Sequence, residues 1–169
     1  MKTSTVIKVT IAVVIVGLGL FIGLLYVAFQ PKTTDVSEFP PYAQFIGQSL
    51  SLERDAMIAQ NLKEFSYETQ FLLAEEDQPL FEGVERLYKL KKGHMITLTE
   101  VKHYKNTVSG FTHSIVVGQT YIPELEGDIT FEYHWGKQVI DLDPEAPLEF
   151  RFPIALWQKE ALQRSYIFE

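Results

Sequence analysis

Hydrophobic and polar positions divide the chain into two regimes. From Val9 to Phe29, VTIAVVIVGLGLFIGLLYVAF runs twenty-one residues without a charge. A helix rises about 1.5 Å per residue, so this run reaches roughly 30 Å, the thickness of a bilayer's hydrocarbon core. The pattern predicts one membrane-spanning helix. Further along the period becomes two. ITFEYHW sets Ile129, Phe131, Tyr133 and Trp135 on one face, with Thr130, Glu132 and His134 on the other. LEFRFPI alternates Leu148, Phe150, Phe152 and Ile154 with Glu149 and Arg151. FTHSIVV aligns Phe111, His113, Ile115 and Val117, and SYETQFLL aligns Tyr67, Thr69, Phe71 and Leu73. Alternation rich in aromatic and β-branched residues marks half-buried strands. Turn signals fall between them at Lys92-Gly93, Ser109-Gly110, Glu126-Gly127-Asp128 and Gly136-Lys137. Several strands at this spacing predict a small β-barrel or sandwich.

Helical spacing returns only near the end. In PIALWQKEALQRSYIF, Ile154, Trp157, Ala161, Ser165 and Phe168 form one stripe, and the middle is rich in helix formers. This predicts a C-terminal α-helix within 153–169. Residues 53–64 fit a short helix, but LSLERDAMI also alternates, and both readings stand. Between the two regimes, QPKTTDVSEFPP holds three prolines and few large apolar residues, and reads as a linker. The expected organisation is a tail over 1–8, a signal anchor over 9–29, a linker over 30–41 and a mainly β domain over 42–169.

The flanks of the apolar run set its expected orientation. Lys2 and Lys8 stand before it with no acid, whereas Lys32 is soon followed by Asp35 and Glu38. Positive residues stay cytoplasmic, so the domain is expected outside. A cleaved signal peptide is the competing reading, because Lys2 and Lys8 also resemble a basic n-region. Against it, the run exceeds the roughly 7–15 residues of a signal h-region, and the exit lacks a small-x-small pair, with Tyr26 two residues before Ala28. Gly19 and Gly23 form a GxxxG spacing that suits close helix–helix contact and a homodimer through the membrane. Glycine is also simply common in membrane helices.

Charge and composition narrow the partners. The first 30 residues hold two of the fifteen Lys/Arg and none of the twenty-two Asp/Glu, leaving thirteen basic against twenty-two acidic side chains, a formal −9. An acidic body of this kind argues against nucleic acid or anionic headgroups as partners. The chain has no Cys, and neither Asn61 nor Asn106 begins an Asn-x-Ser/Thr acceptor. Eukaryotic lumenal domains usually carry disulfides, sugar acceptors or both, so the expected site is a bacterial inner membrane, single-pass, with the domain periplasmic or extracellular.

The stretch LYKLKKGHMITLTEVKHY resembles the small SH3-like domains of bacterial envelope proteins. A strand enters the turn Lys91-Lys92-Gly93 and an apolar strand leaves it through Ile96, Leu98 and Val101. The resemblance covers about a fifth of the chain and implies a barrel with a binding role. The step from even to odd positions between Leu98 and Val101 predicts a β-bulge.

Catalytic chemistry has little to draw on. There is no Cys, GxSxG or SxxK for a nucleophile, and no phosphate-cradling loop. His94, His103, His113 and His134 fit no zinc spacing, although Glu132 and His134 share a strand face as a metal half-site would. The turns DLDPE, with Asp141 and Asp143, and ELEGD, with Glu124, Glu126 and Asp128, offer oxygens for Ca²⁺ but match no EF-hand loop and suit ordinary turns equally. His113, among Phe111, Ile115 and Val117, reads as a hydrogen-bonded core histidine, or else as a proton acceptor in a pocket. Trp157, Tyr166 and Phe168 are candidate partner-binding rings. The expectation is a non-catalytic, membrane-anchored domain without a cofactor that binds another envelope protein, as an assembly or immunity-type factor does. The alternative is a small-ligand or metal-binding receptor, or a hydrolase-like enzyme, with its site near His113 and His134.

Overall fold

A computed structural model describes residues 3–30, 32–61, 68–107, 109–140, 147–162 and 165–168, with side chains from residue 11 onward. It divides into two compact units, residues 1–32 with 105–111 and residues 33–104 with 112–169.

In the first unit the apolar run forms one helix, α1 (Thr3–Ala28). From Ile11 to Ala28 none of its residues is buried, and it is long and apolar enough to cross a bilayer, a test that a signal sequence near an N-terminus also passes. A Cβ added at Gly19 or Gly23 would meet nothing within 4 Å, so the small-residue face is open. The loop at 105–111 is tied by Asn106: its N–H donates to Phe111 O at 2.8 Å, and its side-chain oxygen accepts from Ser109 N–H at 3.0 Å.

The second unit is mainly β, as the alternation predicts. Its larger sheet has eight strands: β1 (Lys32–Asp35), β2 (Ser49–Ser51), β3 (Ala56–Gln60), β4 (Leu72–Glu75), β5 (Glu85–Leu90), β6 (Met95–Lys105), β7 (Thr112–Ile122) and β8 (Gly127–His134). Their order is β1-β6-β7-β8-β4-β3-β5, with β2 also paired to β6. Strands β7 and β8 pair antiparallel, in register from Ile115↔His134 to Ile122↔Gly127. Although 91–94 alone links β5 to β6, no ladder joins these strands among the described residues, and the sheet does not close into a barrel. A smaller sheet holds β9 (Lys137–Gln138), β10 (Leu148–Arg151) and β11 (Tyr166–Phe168) in the order β11-β10-β9.

The main core lies between these sheets. Phe131 and Tyr133 of β8 and the Trp135 that follows it, with Val116, Ile96, Leu98 and Val101, meet Phe150, Phe152 and Phe168 from the smaller sheet side. Tyr42 and Trp157 complete an aromatic cluster; Trp135 and Trp157 pack edge to face at 5.2 Å between centroids. Such geometry favours aromatic pairs beyond their buried area. A second, smaller core of Met57, Ala59, Leu72, Ala74 and Val84 forms a separate cluster. The buried phase of β6 moves from even to odd between Leu98 and Val101, as the sequence predicts, which carries His103 into the core.

Three expectations are corrected. No α-helix forms in 153–162 or 165–168; the chain makes turns and then β11. Ala155, Leu156 and Trp157 are buried in succession, which a helical stripe cannot do. Glu53 N–H donates to Leu156 O at 2.8 Å, and β11 pairs with β10 at Phe150↔Tyr166. Tertiary packing overrides helix propensity here. The linker is also shorter than expected, since Lys32–Asp35 is β1 and Val36 is buried, its N–H donating to Val101 O. Finally, β4 starts only at Leu72: Tyr67 lies outside the described residues, and Thr69 caps the turn at Phe71 through its hydroxyl. Of residues 53–64, open between helix and strand, Ala56–Gln60 forms β3, and residues 62–64 lie outside the described residues.

Candidate functional site

Strands β4 and β8 run parallel and pair at one position only, Leu72↔Glu132. Each is held on its other side, β4 by β3 and β8 by β7. The pair therefore separates toward its C-terminal ends. Between those ends lies a cleft of about 220 Å³, lined by Leu72, Leu73 and Glu75 of β4, Tyr133 and His134 of β8, and Gln78 and Phe81 of the following loop. Leu72 and Leu73 are buried, whereas Phe81 is 59% exposed at the rim. An apolar floor with a few polar groups at its edge is the usual build of a binding site.

The polar groups come from two sides. Glu132 points away from the aromatic core yet has no exposed surface. Its Oε2 accepts from Glu68 N–H at 2.9 Å and Thr69 N–H at 3.4 Å, and its Oε1 lies 3.6 Å from His134 Nε2. A buried backbone N–H needs an acceptor, so a carboxylate at this strand position fixes the approach to β4. His134 is half exposed, and His113 is exposed; partial burial and the neighbouring His134 hold the His113 pKa below its usual value. On the other side Arg54 pairs with Glu75 at 3.0 Å. Burial pushes the Tyr133 hydroxyl up to about 12, with the Arg54 charge opposing the shift.

This arrangement offers an imidazole oriented by a buried carboxylate, an ion pair and a protonated phenol. Among the described residues no Ser or Thr hydroxyl lines the cleft. Among the described residues no three His, Asp or Glu side chains are placed to hold a metal. Asp141 and Asp143 lie outside the described residues.

Of the residues singled out by sequence, Glu132 and His134 come together at the cleft, with His113 beside His134. Trp157 and Phe168 are core residues, and Tyr166 is half-buried against Phe152 at 5.4 Å. The core histidine is His103, 5% exposed, not His113. The cause is the phase step in β6, which the pattern of Leu98 and Val101 already carried. Leu72, Glu75 and Phe81 were not found by sequence, because a parallel pairing across some sixty residues assembles them. The only trace is Phe81, an aromatic set among loop residues in QPLFEG. No family model, no curated protein and no solved structure matches the chain.

Proposed function

We propose that this chain is a membrane-anchored envelope protein whose β-domain binds another envelope protein without catalysing a reaction. Helix α1 spans the inner membrane with the N-terminus cytoplasmic, and the domain works on the far side. The observation that carries the binding role is the β4–β8 cleft: an apolar floor of Leu72 and Leu73 with an exposed Phe81 at the rim. An apolar side chain of the partner seated there beside Phe81 is a hot spot of about 2 kcal/mol.

The test is site-specific photo-cross-linking in intact cells, using the full chain with the reactive group at residue 81 or, as control, at exposed Leu125. One adduct of defined mass at 81, absent at 125 and lost on Leu73→Asp, is expected. A bare residue 81 in the native membrane overturns the reading. Anchoring is tested separately: the protein should stay with membranes through an alkaline wash, and protease added outside the inner membrane should remove the domain. Release by the wash overturns the anchor.

The His134–Glu132 pair favours a second reading, a small-ligand receptor in which the oriented imidazole meets the ligand. Under that reading residue 81 forms no protein adduct, and His134→Ala abolishes binding of the small ligand.

A further inference from the structure

A second concavity, of about 510 Å³, lies where β5, β7 and the turn before β6 meet. Tyr88 comes from β5, His94 and Met95 from the turn and the start of β6, Tyr121 from β7, and Glu124 from the 3₁₀ turn Pro123–Leu125 that follows β7. The chemistry of this lining is one-sided. Tyr121 is 56% exposed and Met95 49%, so an aromatic ring and a thioether face solvent with no packing role to account for them. Tyr88 donates its hydroxyl hydrogen to the Glu124 carboxylate; that bond raises the tyrosine pKa and lowers that of Glu124, which stays ionised.

His94 adds an acceptor. Thr120 donates its one hydroxyl hydrogen to Met95 O at 3.0 Å, so the 2.6 Å contact between Thr120 Oγ1 and His94 Nε2 is donated by the imidazole. Nδ1 is then the lone-pair nitrogen. Partial burial lowers the His94 pKa, Glu124 opposing it, so the ring stays neutral at pH 7. Among the described residues no Lys or Arg lines the basin, and Glu124 makes no ion pair. Every group here presents electron density: a carboxylate, two phenol rings, a sulfur and a bare imidazole nitrogen.

We infer that this basin is a binding site for an alkylammonium group, held by Glu124, by the faces of Tyr88 and Tyr121, and by His94 Nδ1 accepting one N–H. Aromatic faces and a carboxylate are the usual partners of such cations. The acidic balance of the domain draws them in. This site shares no residue with the β4–β8 cleft and does not depend on it. The same head group occurs on a lysine side chain of a protein and on a free alkylamine.

The experiment uses the full-length protein in lipid nanodiscs with isotope-labelled methionine methyls. The chain has only three methionines, Met1, Met57 and Met95, and Met57 is 0% exposed, so it reports the fold while Met95 reports the basin. N-acetyl-lysine methylamide and butylammonium are titrated beside N-acetyl-norleucine methylamide, an uncharged analogue. The expected result is a saturable shift of Met95 with both amines, none with norleucine, and no change at Met57. Tighter binding of the lysine derivative identifies a protein side chain as the source; equal binding identifies a free amine. Glu124→Gln, which keeps the Tyr88 hydrogen bond, should weaken binding about tenfold and flatten its salt dependence. Equal shifts with norleucine, or Glu124→Gln binding unchanged while Met57 stays native, overturn the proposal.

Discussion

His103 illustrates how one buried side chain makes the domain sensitive to acid. It stacks on Phe150 at 4.6 Å and its Nε2 lies 3.1 Å from the Tyr42 hydroxyl, which in turn meets Ser114 Oγ at 2.6 Å. Burial lowers the imidazole pKa to about 4 from an ordinary value of 6.5. Below pH 6.5 the unfolded chain takes up a proton that the folded chain refuses, so stability falls as pH drops toward 4. The loss is about 3 kcal/mol at most for this group. His94 and His113, also held low, act in the same direction. Urea unfolding measured from pH 7.5 to 4 should show this slope, and His103→Gln should reduce it; an unchanged slope would place the acid sensitivity elsewhere. Tyr42→Phe removes the hydroxyl that bridges two buried polar groups. It should cost about 2 kcal/mol in the same assay at neutral pH.

At the scale of single elements, β7 and β8 set the tolerances of the fold. Gly118 sits opposite Phe131 in their register. A Cβ there would come 2.6 Å from the Phe131 ring and 2.9 Å from Thr97 O, and the backbone oxygen cannot move aside. Gly118→Ala is expected to cost about 3 kcal/mol and lower the Tm by roughly 10 °C, read by thermal unfolding. Glu132 gives β8 its second duty. Glu132→Ala strands the amide hydrogens of Glu68 and Thr69, and hydrogen exchange at those two amides should accelerate ahead of the rest of the sheet. Uniform protection would mean that another group replaces the carboxylate.

The same strand shows what the sequence could and could not tell. Its alternation correctly assigned Phe131, Tyr133 and Trp135 to the core. It could not reveal that the opposite face is covered at Glu132, because the covering segment arrives from β4. The C-terminal stripe misled for a related reason. Helical spacing at Ile154, Trp157 and Phe168 was real, but β10 and the aromatic cluster claimed the chain residue by residue.

For the whole molecule, hairpin neighbours such as β7 and β8 are tied together by pairings between distant segments. β1 joins β6, and β4 joins β8. Such topologies close slowly, because long loops must be ordered before their contacts form. Ala155, Leu156, Trp157 and Phe168 belong to the core, and a chain ending at residue 152 lacks them. That truncation should leave no cooperative unfolding transition by circular dichroism. A truncated chain that still unfolds cooperatively would show that the larger sheet stands alone.

Phe168 meets Phe150 at 5.5 Å and His103 at 4.7 Å, and so completes the wall around a histidine more than sixty positions earlier. Phe168 thus closes the burial that lowers the imidazole pKa, and that closure is complete only when the last strand is seated. Acid therefore acts against the seating of the last strand, because a proton taken up by His103 before Phe168 docks has to be given back when the wall closes.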